Sequence, residues 1–281
     1  PSPLSAALRI VQPIVPRVVL EPWLQRRFFA ARGWDNLHWG VFDTFADALA
    51  YAQRFHARTR FGADHEAILR RHALLKTHDY PVLFWLARAM ALSAGRRLVD
   101  LGGSVGASYY SYRDRLGLPD DWEWIVCELD EVVARGRAIA AQRWAPHLRF
   151  STDRSEVDGA AILFTAGCLQ YLEQPLAAIL SGLAAPPPHI IINRLALTTG
   201  SAYITLQNTG YSISPCRVDQ LERFVADMAA LGYRQADVWA CLDNHTEVPF
   251  HPECTLPNFF GFYFNKGRPV HETLHVGQAD G

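Results

Sequence analysis

The sequence predicts an α/β fold organised around a mostly parallel, doubly wound sheet. Three observations carry that expectation. First, Arg97-Leu98-Val99-Asp100-Leu101 is an apolar run fit for a buried parallel strand, and Gly102, Gly103 and Gly106 follow it directly. Ala107 to Leu116 then reads as a helix whose free N–H groups point back into the glycine turn. Second, Trp124-Ile125-Val126-Cys127-Glu128 is another apolar strand pattern, closed by an acid. Third, from Arg97 onward strand-length apolar runs alternate with helical patterns, which is how a chain winds a parallel sheet.

Residues 1–42 read as an irregular, aromatic-rich segment. Leu4 to Phe29 is apolar and basic, and Pro13 and Pro16 break any single helix there. It fits either a segment packed on the domain or on a partner subunit, or a peripheral membrane contact. A helical prelude occupies 43–96. Asp43 or Thr44 caps a helix running through Phe45, Leu49 and Phe55, and His65 to Leu75 and Tyr80 to Ala94 form two more, with Pro81 in a permitted first turn. The sheet domain spans 97–266, and 267–281 read as a frayed tail.

Within the sheet domain the expected strands are 97–101, 123–128, 148–152, 160–165, 189–194, 234–241 and 259–264, the last two antiparallel and joined by a long loop, 242–258. Asp130 caps a helix from Glu131 to Trp144, which Pro146 stops. A further helix runs from Pro175 to Leu183. The stretch 195–214 has no helical period and reads as a loop with room for a short strand at Ile204-Thr205-Leu206-Gln207. Arg217 to Leu231 is an amphipathic helix with Val218, Leu221, Phe224, Val225, Met228 and Leu231 on one face, ended by Gly232.

Composition narrows the function. With 49% hydrophobic and 20% charged residues the 281-residue chain can bury a sizeable core. A net charge of -1 and no basic run give nucleic acid nothing to hold, so none is expected. No run of 18 apolar residues appears, so no membrane span is expected. Five scattered cysteines without a Cys-x-x-Cys pair point to a reduced, cytoplasmic protein. A homodimer is compatible with all of this.

In an open parallel sheet, ligands bind beyond the carboxyl ends of the strands at the switch point. That rule selects 100–106, 128–130, 152–153, 165–171, 194–214 and 242–258. Asp100 in the glycine turn is an acceptor for a cation or amine, and the lysine of a nucleotide-phosphate loop is missing. An acid placed like Glu128 accepts hydrogen bonds from both hydroxyls of a ribose. The two segments together point to a nucleoside cofactor.

Asp100-x-Gly102-x-Ser104-x-Gly106 resembles motif I of the class I S-adenosylmethionine-dependent methyltransferases, with Ser104 where the middle glycine usually stands. Leu101 to Tyr110 and Leu169-Gln170-Tyr171-Leu172-Glu173-Gln174-Pro175 resemble, more narrowly, a little-characterised bacterial group of methyltransferases whose genes often lie among polysaccharide or cell-surface biosynthesis genes. The resemblance runs from Trp39 to Phe264. It implies a Rossmann-like, seven-stranded sheet with an antiparallel last strand, S-adenosyl-L-methionine as cofactor leaving as S-adenosyl-L-homocysteine, and a small or sugar-like oxygen acceptor. Under it Gly102, Gly103, Ser104 and Gly106 approach the cofactor's amino-acid part and Asp100 its ammonium. Glu128, with Leu129 beside it, takes the ribose, and Asp153 the adenine amino group. Thr165 and Ala166 offer backbone carbonyls, and Tyr80 of the prelude closes over the cofactor.

On the acceptor side a general base is expected to be a histidine, whose pKa lies near neutrality. His245 and His251 lie in the loop that leaves the sixth strand at the correct end. With Glu247, Glu253 and Cys254 they could also form a metal cluster, but the spacing fits no standard zinc motif and no metal is expected. Tyr171, with Gln170, faces the acceptor in many folds of this class. Arg194 either binds an anionic acceptor or makes a salt bridge to a helix. The acceptor pocket is expected between 195–214, 242–258 and the prelude. Two competing functions stay open: an NAD(P)-dependent oxidoreductase, against which the departure from Gly-x-Gly-x-x-Gly counts, and a non-catalytic cofactor-binding scaffold, which Ser104 keeps alive.

Overall fold

The computed structural model describes residues 15–32, 36–55 and 65–267. Before the glycine turn come α1 (Arg17–Ala30), β1 (Leu37–Phe42), α2 (Phe45–Gln53), α3 (His65–His72) and α4 (Asp79–Leu92). The turn lies between β2 (Arg97–Leu101) and α5 (Ala107–Leu116). Then follow β3 (Glu123–Cys127), α6 (Asp130–Gln142), β4 (Leu148–Ser151), β5 (Ile162–Ala166), α7 (Leu176–Ser181) and β6 (His189–Leu195). The last third forms β7 (Leu197–Thr198), β8 (Tyr203–Asn208), β9 (Ile213–Gln220), α8 (Leu221–Ala230), β10 (Arg234–Cys241), β11 (Thr246–Val248), β12 (His251–Leu256) and β13 (Phe259–Asn265).

The expected central sheet forms. Its seven strands run in the order β10-β13-β6-β5-β2-β3-β4, and β13 alone is antiparallel to its neighbours β6 and β10. The fold is therefore Rossmann-like, with the topological switch point between β2 and β5, where the Thr165 hydroxyl donates to the Leu101 carbonyl at 2.9 Å. Side chains alternate across the sheet as the pleat demands. Leu98, Trp124, Phe164 and Ile191 pack on one face with Val82 and Leu86 of α4 and Tyr109 and Tyr112 of α5. Val99, Leu101, Leu163 and Ile192 pack on the other with Leu176 and Leu180 of α7 and Met228 of α8.

Three expectations about the connections need correcting. Residues 15–32 and 36–42 are not irregular. Pro16 sits at the N-cap of α1, where a missing N–H costs nothing, and Leu20, Leu24 and Phe28 bury one stripe of the helix against Trp39, Leu206 and Ile213. The described part of this segment thus packs on the domain; Leu4 to Ile14 lie outside the described residues, as does nearly all of the expected tail. Second, 195–214 holds more than a loop with one short strand: 204–207 lie within β8 as expected, but β7 and the start of β9 form as well. β8 and β9 form a hairpin, and β1 pairs with β8 from Leu37↔Asn208 to Phe42↔Ile204, giving a second sheet in the order β1-β8-β9-β7. Arg217 to Gln220 belong to β9, so Val218 faces the sheet and the amphipathic helix starts only at Leu221. Third, 242–258 carries the β11–β12 hairpin.

Two end effects are smaller. Thr44 caps α2 as expected, accepting from the Asp47 N–H at 3.0 Å. Asp130 does not cap α6. Leu129 holds the cap position and Asp130 enters the first turn, where its charge suits the helix dipole.

Candidate functional site

The glycine turn is fixed mainly by the chain's own atoms. Gly102 and Gly106 have φ of +73° and +83°, which L side chains rarely adopt. A Cβ at Gly102 would lie 2.2 Å from Cys168 Sγ, one at Gly103 would lie 2.4 Å from Asp100 Oδ2, and one at Gly106 would lie 2.8 Å from a Leu148 methyl. A side chain at Gly102 would thus collide with Cys168. Ser104, the unusual residue of the motif, takes φ +54°, and its Oγ is buried without a hydrogen-bond partner.

Two carboxyls back the turn. Asp100 is fully buried; its Oδ2 accepts from the Trp124 indole at 3.2 Å, and its Oδ1 has no partner. Burial pushes its pKa up to about 7, against the Trp124 hydrogen bond, and the Glu128 charge adds to the rise while Arg194 opposes it. Glu128 fastens the turn to the next strand: Oε1 accepts from the Ser104 N–H at 3.1 Å and Oε2 from the Leu129 N–H at 3.0 Å. Burial raises its pKa, and those two amides pull it back. Each oxygen keeps a further lone pair for a ligand hydroxyl.

The other expected cofactor residues have structural occupations. Asp153 is exposed at the start of a 3₁₀ turn, where it accepts from the Ser155 N–H at 2.8 Å. The Thr165 hydroxyl is spent on Leu101, and the Ala166 carbonyl accepts from Arg194 Nη2 at 2.9 Å. Tyr80 is largely exposed on the first turn of α4.

On the acceptor side the Tyr171 hydroxyl donates to Gln207 Oε1, Gln207 Nε2 donates to Asn36 Oδ1, and Asn36 Nδ2 donates to the His245 carbonyl. This chain ties the segment after β5 to β8 and to the β11 hairpin. Burial raises the Tyr171 phenol well above its usual pKa, so it stays neutral. His251 is placed elsewhere. Its Nδ1 lies 3.0 Å from Glu253 Oε1, and it lines a cavity of about 190 Å³ with Arg17, Glu21, Trp39, Tyr51 and Phe250; no residue of the glycine turn lines that cavity. Among the described residues no group of three or more His, Cys, Asp or Glu is placed to hold a metal ion, and no helix is long and apolar enough to cross a membrane.

A polar cluster stands at the carboxyl edge of β6, around the His78-Asp79-Tyr80 start of α4. Asp79 Oδ1 accepts from the Tyr112 hydroxyl at 2.7 Å and from Asn193 Nδ2 at 3.4 Å, and its Oδ2 accepts from the Lys76 N–H at 2.8 Å. Asn193 Oδ1 accepts from the Trp239 indole at 3.1 Å. His72 and His78 flank the cluster; burial lowers both pKa values, that of His72 to about 3. The only trace in the sequence was His78-Asp79-Tyr80 opening a helix, which is equally an ordinary helix start.

No protein-family model matches the chain, and no curated protein matches it. Solved structures do. The 1,6-didemethyltoxoflavin-N1-methyltransferase of Burkholderia thailandensis, with bound 1,6-didemethyltoxoflavin and S-adenosylhomocysteine, is 20% identical over 74% of this chain and 92% of its own, with a TM-score of 0.43. The mitomycin 7-O-methyltransferase MmcR is 13% identical over 80% of this chain and 61% of its own, with a TM-score of 0.44. A SAM-dependent methyltransferase of Aquifex aeolicus is 11% identical over 73% of this chain and 100% of its own, also at 0.44.

Proposed function

We propose that the protein is an S-adenosylmethionine-dependent methyltransferase acting on a small molecule, with a sugar-like hydroxyl as acceptor. One observation carries the reading: at the switch point of the sheet, a glycine turn is backed by a buried carboxyl whose Oδ1 has no partner. Asp100 then accepts from the cofactor's ammonium, and the Ser104 hydroxyl donates to or accepts from its amino-acid part. Glu128 uses its remaining lone pairs on the ribose hydroxyls while still holding the Ser104 and Leu129 amides.

When bound, the cofactor would supply a methyl carbon on a sulfonium, open to in-line attack by the acceptor oxygen as the carbon–sulfur bond breaks and S-adenosylhomocysteine leaves. The chain's part is to position and to exclude water. Tyr171 orients Gln207, and Gln207 with Asn36 offers donors and acceptors suited to a hydroxylated ligand. The resemblance to a group found near polysaccharide genes supports a sugar-like acceptor and a cytoplasmic setting. We assign no base to His245 or His251, because neither side chain has a described partner in the glycine turn. The test is transfer of labelled methyl from S-adenosylmethionine into the small-molecule fraction of a cell extract. Label in a small product is expected; tight cofactor binding without any transfer overturns catalysis in favour of a scaffold.

A further inference from the structure

Arg194 stands out from the cluster around it. It has φ +60°, in the left-handed region that costs a non-glycine residue about 1–3 kcal/mol. The cause is a bulge. Ile192 pairs with Phe262 and Leu195 with Phe260, so Asn193 and Arg194 together face Gly261. Trp239 fills the space above Gly261, where a Cβ would meet its ring at 2.1 Å, and its indole holds Asn193. The extra residue turns Arg194 away, as bulges do when they re-aim a side chain.

The guanidinium lies flat against Gly167, where an added Cβ would stand 3.5 Å from Nε. Nη2 donates to the Ala166 carbonyl, and Nε is buried with no partner. Among the described residues no carboxylate lies within 4.0 Å of it, so the expected alternative of a salt bridge to a helix is absent. Its charge is felt by Asp100, Tyr112, Tyr171, His72 and His78, which places it where the glycine turn, the segment after β5 and the prelude meet. Asp79, the nearest acid of the cluster, is engaged by Tyr112, Asn193 and the Lys76 amide. A partly buried guanidinium without a counter-charge is costly unless an anion completes it.

We propose that Arg194 binds the carboxylate or phosphate of the methyl acceptor, so that the acceptor class is an anionic, hydroxylated small molecule. Besides the Nη2 hydrogen given to Ala166, the guanidinium has N–H donors left for the oxygens of such a group. The assignment of the anion to the acceptor rests on the methyltransferase reading; the existence of the anion site does not. The cofactor's own carboxylate is the competing source of the same chemistry.

The test titrates inorganic phosphate and malonate into wild type and into Arg194→Met, Arg194→Lys and Arg194→Gly by calorimetry. Glycine suits φ +60°, so Arg194→Gly relieves the backbone strain while it removes the guanidinium. Millimolar binding in wild type, weakened at least about tenfold in Met and Gly and less in Lys, supports the site. Equal affinity in all four, or no binding of either probe to wild type, overturns it. A second arm compares S-adenosylhomocysteine with 5′-methylthioadenosine, which lacks the amino-acid part. Unchanged affinity of Arg194→Gly for both supports the acceptor assignment. Weakened S-adenosylhomocysteine with unchanged 5′-methylthioadenosine gives the anion to the cofactor and overturns that assignment. If wild type binds neither nucleoside while the probes still depend on Arg194, the methyltransferase reading fails and the anion site stands.

Discussion

The two sheets of this protein are built by different rules. The central sheet grows mostly by local steps: α5, α6 and α7 carry the chain from β2 to β3, from β3 to β4 and from β5 to β6, with one crossing from β4 to the other side of β2, and its glycine turn is locked by neighbours from β2, β4 and the segment after β5. The second sheet closes across the chain. β1 pairs with β8, residues Leu37 and Asn208 facing each other. The sheet joins the first through shared apolar clusters, Tyr203 and Val218 with Cys241 and Phe259, and through the side-chain hydrogen bonds of Tyr171, Gln207 and Asn36. The first carries the candidate cofactor site and is rigid by construction. The second, with the β11–β12 hairpin, carries the proposed acceptor face. Substitutions in the glycine turn are therefore expected to cost stability as well as binding, and substitutions in the polar link and the hairpin to cost mainly function.

Gly102→Val tests that contrast hardest. It forces a branched side chain to φ +73° and against Cys168, so we expect a loss of more than about 3 kcal/mol in urea unfolding. A wild-type midpoint would mean that the turn is not locked as described.

Asp100→Asn comes next and has a definite sign. A carboxyl with a folded pKa of about 7 keeps a proton that the unfolded chain, at about 3.9, gives up. Its contribution is complete at low pH and is lost as pH rises from about 4 to about 7, by at most on the order of 4 kcal/mol. Asn lacks that titration, so the stability of Asp100→Asn relative to wild type should rise across that window. A flat difference would place a charged Asp100 in the folded state.

Glu128→Gln turns one acceptor into a donor facing an amide N–H, and about 1–3 kcal/mol should be lost from stability, with cofactor affinity falling in parallel. Affinity lost with stability intact would make Glu128 a ligand residue only. At the link to the second sheet, Tyr171→Phe should cost about 1 kcal/mol and show a coupling of about 0.5–1.5 kcal/mol with Gln207→Leu in a double-mutant cycle. The smallest effect is expected for His251→Ala. Its pair with Glu253 is at the surface, so stability should move by less than about 0.5 kcal/mol and cofactor affinity not at all. A turnover loss of about 10²-fold or more would return His251 to the role of base.

This division also explains what was legible in the sequence. β2, α5 and β10 form at the predicted residues because period, glycines and caps act within a few positions. The pairing of β1 with β8 depends on residues about 170 apart, and nothing local in Leu37 to Phe42 names that partner. Val218 fits a helical face by spacing, yet β8 claims it as a strand residue, a tertiary override of a local pattern. At the site, Asp100 and Glu128 were legible because a motif marks them. Arg194 was visible as a strand-end arginine, but its bulge and missing counter-charge exist only in the folded chain.

The central claim is that the Asp100 turn binds the cationic end of S-adenosylmethionine. Titration calorimetry of S-adenosyl-L-homocysteine at pH about 6, in two buffers of different ionisation enthalpy, tests it directly. The account predicts one site per chain with release of a proton as the ligand ammonium ionises Asp100, and loss of that release in Asp100→Asn. No binding at millimolar ligand, or binding with identical heats in both buffers, would contradict it.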